Sequence, residues 1–109
     1  MSDSTTESPV LDLLARMTAD SLDASSLDPQ TLMLVRIAAL VSLDAPPISY
    51  RLNLGAAGEV GADAEQISGV LAAIAPIVGT ARIAAATAKI VDALDVAIEV
   101  AALEEQGNP

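Results

Sequence analysis

Three arginines, an asparagine and a tyrosine are the side chains in the middle of this chain that can recognise or transfer anything. Arg51 follows Tyr50 and precedes Asn53 in the segment Ala45-Pro46-Pro47-Ile48-Ser49-Tyr50-Arg51-Leu52-Asn53. A guanidinium and an amide at that spacing can hold a carboxylate through directed hydrogen bonds. The same arginine can instead pair at a helix surface with an acid such as Asp44 or Glu59. Arg36 interrupts an otherwise apolar run and so needs a partner, either across a subunit contact or in a pocket. Arg82, after Gly79-Thr80, can close that pocket or reach solvent. The ligand-binding candidates are therefore Arg36, Arg51, Asn53 and Arg82. For proton transfer only Tyr50 and Glu59 are available nearby. Tyr50 is the only aromatic residue, and it serves either as a hydrogen-bond donor to a ligand or as a packing anchor with its hydroxyl at the surface.

What the chain lacks narrows the chemistry further. It has no cysteine and no histidine, so thiolate chemistry, disulfides and imidazole acid–base work are all excluded. Asp92, Asp95 and Glu99 share one helix face and could in principle offer oxygen ligands to a divalent cation. A solvated acidic face accounts for them without a ligand-gathering turn, and no metal is expected. No Gly-rich phosphate loop is present, and no cofactor is expected.

A net charge of −10 with five Lys and Arg leaves no basic face for nucleic acid or an anionic membrane surface. The acid is concentrated at the ends. Residues 1–31 carry six acids against Arg16, and residues 89–109 carry five against Lys89. Such termini suit an interaction module for a basic partner, one alternative reading of the chain. The longest uncharged apolar stretch, Ile67 to Ala81, is fifteen residues, short of the roughly twenty that a spanning helix needs. No secretory signal opens the sequence, and the expected location is the cytoplasm.

The elements that must position these residues read as helices. Residues 1–7 are polar and aperiodic and are expected to be disordered. Ser8-Pro9 is a cap followed by a first-turn proline, and Val10, Leu13, Leu14 and Met17 give a helical stripe. Asp20 to Leu27, rich in Asp and Ser, reads as a loop. Asp28-Pro29 opens a second helix to about Leu43, apolar on almost every side and expected at the buried centre. Pro46 and Pro47 stop it. A third helix runs from Pro47 to about Ala57. Asp63 and Gln66 form a capping box for a fourth, with Ile67, Val70, Leu71 and Ile74 inward and Pro76 kinking or ending it.

The last helix, from about Ala81 to Glu104, presents Ile83, Thr87, Ile90, Leu94, Ala97 and Ala101 along one seam, and Gly107 ends it. No strand pattern occurs. The class is all-α with about five helices, one helical domain over residues 8–106 and a tail at 107–109. With 52% hydrophobic but 1% aromatic residues, much aliphatic surface is left to bury, which predicts a homo-oligomer.

This layout resembles the carboxymuconolactone decarboxylase and alkylhydroperoxidase D family over about residues 28–95. Gly61-Ala62-Asp63-Ala64-Glu65-Gln66-Ile67 is similar to that family's Gly-Val-Thr-Pro-Glu-Glu-Ile turn, and Val78-Gly79-Thr80-Ala81-Arg82 to its Ala-Gly-Val-Pro-Ala turn. The resemblance implies a helical bundle that assembles as a trimer or hexamer. In the peroxidase branch it also implies a Glu followed by Cys-x-x-Cys-x-x-x-His. Counted back from Gly61, those residues fall at Leu34, Pro46, Ser49 and Asn53, and none of the four is retained. The decarboxylase branch keeps the histidine, whose acid–base role the Asn53 amide cannot take.

The expectation is a cysteine-free pseudoenzyme, with no thiol peroxidase activity, serving as a homo-oligomeric scaffold or as a binder of a small anionic molecule. The competing reading is a cysteine-independent decarboxylase-like or isomerase-like enzyme acting on a small anionic or lactone substrate.

Overall fold

The computed structural model describes residues 8–106, with side chains through Asp95 and at Leu103. The expectations for residues 1–7, for Gly107 and the 107–109 tail, and for the side chains of Ala97, Glu99 and Ala101 lie outside the described residues. Five helices follow one another: α1 (Pro9–Ala24), α2 (Pro29–Leu43), α3 (Pro47–Glu59), α4 (Ala64–Val78) and α5 (Thr80–Gln106). The described residues contain no strand. Nor is any of these helices long and apolar enough to cross a membrane.

Proline sets the starts of α1, α2 and α3, because its fixed φ suits the first helical position and its missing N–H is not needed there. Asp28 adds a side-chain cap to α2, accepting from the Thr31 amide at 3.2 Å and the Thr31 hydroxyl at 2.6 Å. These bonds hold the Asp28 carboxyl below the usual carboxylate range. Ser8 stands at the start of α1, but its side chain makes no capping bond. At the other end of α2, Asp44 adopts the left-handed conformation (φ 53°), and the Ala45 amide reaches back to the Leu40 carbonyl at 3.0 Å. Aspartate tolerates that backbone better than most side chains.

Between α3 and α4 the predicted capping box forms. The Gln66 amide donates to Asp63 at 2.8 Å, and the Asp63 amide donates to the Gln66 side chain at 3.0 Å. Gln30 ties this turn to the start of α2. It donates to the Val60 carbonyl at 3.3 Å and accepts from Gln66 Nε2 at 2.6 Å. The turn closes through Gly61 (φ 89°), where a Cβ would come within 3.3 Å of Gln30 Nε2. Asp63→Ala should therefore cost about 1 kcal/mol of stability, the usual worth of an N-cap. The urea midpoint would read that loss, and no loss would mean that Gln30 alone holds the turn.

α2 is the central helix, packing against α3, α4 and α5, while α3 also packs along α5. Leu32, Met33, Ile37 and Val41 of α2 are buried with Ala45, Tyr50, Ala57, Ile67, Ala86 and Ile90. The expected burial of α2 holds for that face only. Val35 is 53% exposed and Leu43 75%. In α4 the inward stripe is as expected, with Ile67 buried and Leu71 and Ile74 packed against the core. Pro76 lies inside the last turn, and the helix continues past it to Val78.

Two expectations are corrected. Residues Asp20 to Ala24 are helical, so only Ser25 to Asp28 connect α1 to α2. Asp and Ser disfavour helix only where their side chains compete with the backbone. Here the Ser25 amide bonds the Ser21 carbonyl, and the Ser21 hydroxyl accepts from Arg36. On α5 the inward seam is Ile83, Ala86, Ile90 and Ala93, with Thr87 and Leu94 exposed. The alanines let α5 approach its neighbours closely, and this turns the helix away from the seam that its larger side chains suggest.

Candidate functional site

α1 contributes no buried residue. It stands beside α2 and α3 without packing closely on either and leaves an open groove of about 390 Å³, lined by Leu14, Met17, Thr18 and Ser21 from α1, Arg36, Ala39 and Leu40 from α2, and Asn53 from α3. Arg36 spans the gap. Its Nη2 donates to the Ser21 hydroxyl at 2.9 Å and to the Thr18 carbonyl at 3.3 Å. Asn53, partly buried, donates to the Ser49 carbonyl one turn earlier at 2.9 Å. Two of the sequence candidates, Arg36 and Asn53, thus share one cavity.

The other two point elsewhere. Arg51 pairs with Asp92 of α5 at 3.2 Å, both side chains being open to solvent. The acid is neither Asp44 nor Glu59, because α3 runs beside α5 and brings Asp92 across. Arg82 donates to the Ser42 carbonyl at the end of α2. Asp44 takes Lys89 instead, at 2.9 Å, and the same ammonium donates to the Ala45 carbonyl at 2.8 Å. Two cations therefore gather at the C-terminus of α2, where the helix dipole favours them.

The hydrogen bond and charge of Lys89, with Arg82 beyond, hold the Asp44 carboxyl below the usual carboxylate range. A depressed folded-state pKa stabilises above the unfolded value, 3.8, and the contribution fades as pH falls through the folded value. Acid titration of Asp44→Asn should therefore lack part of the parent's loss of stability below about pH 4. Parallel curves for the two proteins would exclude the pair as a contributor.

Tyr50 is fully buried, with Lys89 Nζ 5.9 Å from its ring centroid. Its hydroxyl, expected at a ligand or at the surface, is sealed inside and has no hydrogen-bond partner among the described residues. Burial, reinforced by the Asp44 charge, pushes its pKa above the ordinary phenol value. A sealed phenol that resists ionisation is a poor proton donor to a substrate. Glu59 ends α3 on the exposed surface and does not line the groove.

Pro46 and Ser49 occupy the start of α3, and Leu34 packs against the core. The positions where the resemblance calls for thiols, imidazole and carboxylate thus hold a proline, a serine, an amide and a leucine, none of which titrates near neutral pH. Among the described residues no group of three or more potential metal ligands gathers.

Sequence reasoning missed three participants. Ser21 was hidden by the loop assignment, although Leu14, Met17 and Ser21 continue a helical spacing, and Thr18 takes part through its backbone carbonyl, which no side-chain pattern reveals. Gln30, holding the turn before α4, carries no local signal.

A model of the carboxymuconolactone decarboxylase family matches residues 9–93. The matched stretch takes in α1, which the turn motifs alone do not reach. No curated protein matches the chain, and no solved structure does.

Proposed function

The chain belongs to the carboxymuconolactone decarboxylase family, and from that premise we propose that it works by assembly and not by turnover, as a non-catalytic homo-oligomeric scaffold. The observation that carries this reading is the aliphatic surface left open on the helices. Val10 and Leu11 on α1, Leu43 on α2, Leu52 on α3 and Ile77 on α4, the last 88% exposed, have no cover in the single chain. Aliphatic surface left open on four helices is what contact between subunits would cover. A closed ring of identical subunits covers it most economically. The absence of turnover is supported by the start of α3, where Pro46, Ser49 and Asn53 supply neither thiol nor imidazole and the Tyr50 hydroxyl is sealed.

Light scattering coupled to size exclusion tests the assembly directly. A trimer or hexamer mass at micromolar concentration is expected, and a stable monomer there would end the reading. Assays with a hydroperoxide plus a dithiol, and with a carboxylated lactone, should give no rate above the uncatalysed background.

A further inference from the structure

We propose that the groove between α1 and the α2–α3 pair binds a small amphipathic anion, a medium-chain carboxylate in chemical class, with its head at Arg36 and its tail along α1. This goes beyond the assembly reading and does not depend on it. The groove's 390 Å³ falls in the range of small-molecule sites, and at roughly 30 Å³ per water-sized group it holds on the order of a dozen of them.

Its walls divide by chemistry. Leu14, Met17, Ala39 and Leu40 are apolar, whereas Arg36 and Asn53 supply directed donors. Among the described residues Arg36 donates from Nη2 alone, both times to neutral oxygens, the Thr18 carbonyl and the Ser21 hydroxyl. Among the described residues it joins no ion pair, in contrast to Arg51 and Lys89. A guanidinium has five N–H donors in a fork that fits a carboxylate. In a chain of net charge −10, a cation standing on an apolar wall with no carboxylate paired to it among the described residues marks a place where an anion is complementary.

The other half of the argument is α1 itself. Leu14 and Met17 line the groove and are still 49% and 56% exposed. The helix is tethered over the cavity without filling it. An alkyl chain laid between α1 and α2 would cover both side chains, and methionine adapts readily to such a guest. The apolar cleft between α2 and α4 offers a contrast. Lined by Leu34, Val35, Ala38, Val70, Ala73 and Ile74 with Thr31 as its polar member, it has no charged group to orient a head and suits a second copy of the chain better.

Calorimetric titration of the full chain with decanoate, decylamine and decanol tests the proposal. Decanoate should saturate one site per chain at least about tenfold more tightly than the other two, as a charge-assisted hydrogen bond would give. Arg36→Gln should remove that preference, leaving the three probes within about a factor of two to three of one another. Since Arg36 also tethers α1, a second variant leaves the tether intact. Ala39→Trp, at an exposed α2 position facing the groove, should block decanoate while circular dichroism stays unchanged.

Equal uptake of decanoate and decylamine by the parent protein would overturn the proposal, as would a uniform loss of all three probes in Arg36→Gln or undiminished binding in Ala39→Trp. Absence of saturable binding, with Met17→Cys cross-linking between subunits, would show that a second copy fills the groove instead. The mass from light scattering judges assembly separately, so either reading can fail without the other.

Discussion

Tyr50→Ala is expected to cost about 4 kcal/mol of folding stability, the upper part of the range for emptying an aromatic site in a core. The ring is fully buried and is the largest side chain in the cluster that joins α2 to α3, α4 and α5. With whole domains stable by only about 5–15 kcal/mol, this variant should unfold at low urea or fail to accumulate. Tyr50→Phe should do the opposite. The hydroxyl has no partner among the described residues, so removing it leaves the packing in place and relieves an unsatisfied polar group, for a gain of about 1 kcal/mol. Urea unfolding with an unchanged slope is the measurement. A phenylalanine variant less stable than the parent would mean that the hydroxyl is hydrogen-bonded after all. A turnover lost in that variant alone would return Tyr50 to the list of catalytic groups.

Ile37→Ala is the second large effect, about 3 kcal/mol. Ile37 has no exposed surface and sits midway along the central helix, where relaxation from one side is opposed by neighbours on the others. At several degrees per kcal/mol for a domain of this size, the melting temperature should fall by about 15 °C. Val35→Ala, two residues away on the open face, is the control and should shift stability by less than about 0.5 kcal/mol in a single chain. A larger cost at Val35 that grows with protein concentration would place that face in a subunit contact, where the assembly reading needs it.

The fold was legible where local chemistry alone decides the backbone. Asp28-Pro29, Pro46-Pro47 and the Asp63–Gln66 pair set the starts of α2, α3 and α4, because caps and prolines act within one turn and need no tertiary partner. The end of α1 was not legible. Asp20, Ser21 and Asp23 have loop-like composition, and the contact that holds Ser21 comes from Arg36, fifteen residues along the chain.

The seam of α5 was misread for a related reason. A hydrophobicity pattern weights Leu94 above Ala93, while close packing favours the smaller side chain. The candidate site was legible as a set of residue types and not as an arrangement. Nothing in the order of residues says that Asp92 lies opposite Arg51, that Arg82 reaches Ser42, or that Arg36 and Asn53 line one groove. Those are consequences of how α3, α5 and α1 are placed on α2. The Tyr50 hydroxyl is the sharpest case, since a lone tyrosine is compatible with a ligand, a surface or a sealed interior until its neighbours are known.

That α1 buries none of its side chains has a consequence for how this protein can vary. Folding exerts little selection on Pro9–Ala24, so substitutions there can drift without unfolding the rest of the domain. The remaining constraint falls to the subunit contact proposed for Val10 and Leu11 and to the guest proposed for the groove. A randomised library confined to this helix would therefore separate two phenotypes that most proteins keep entangled, survival of the fold and possession of a guest. Positions 14, 17 and 21 should tolerate change for the first and resist it for the second.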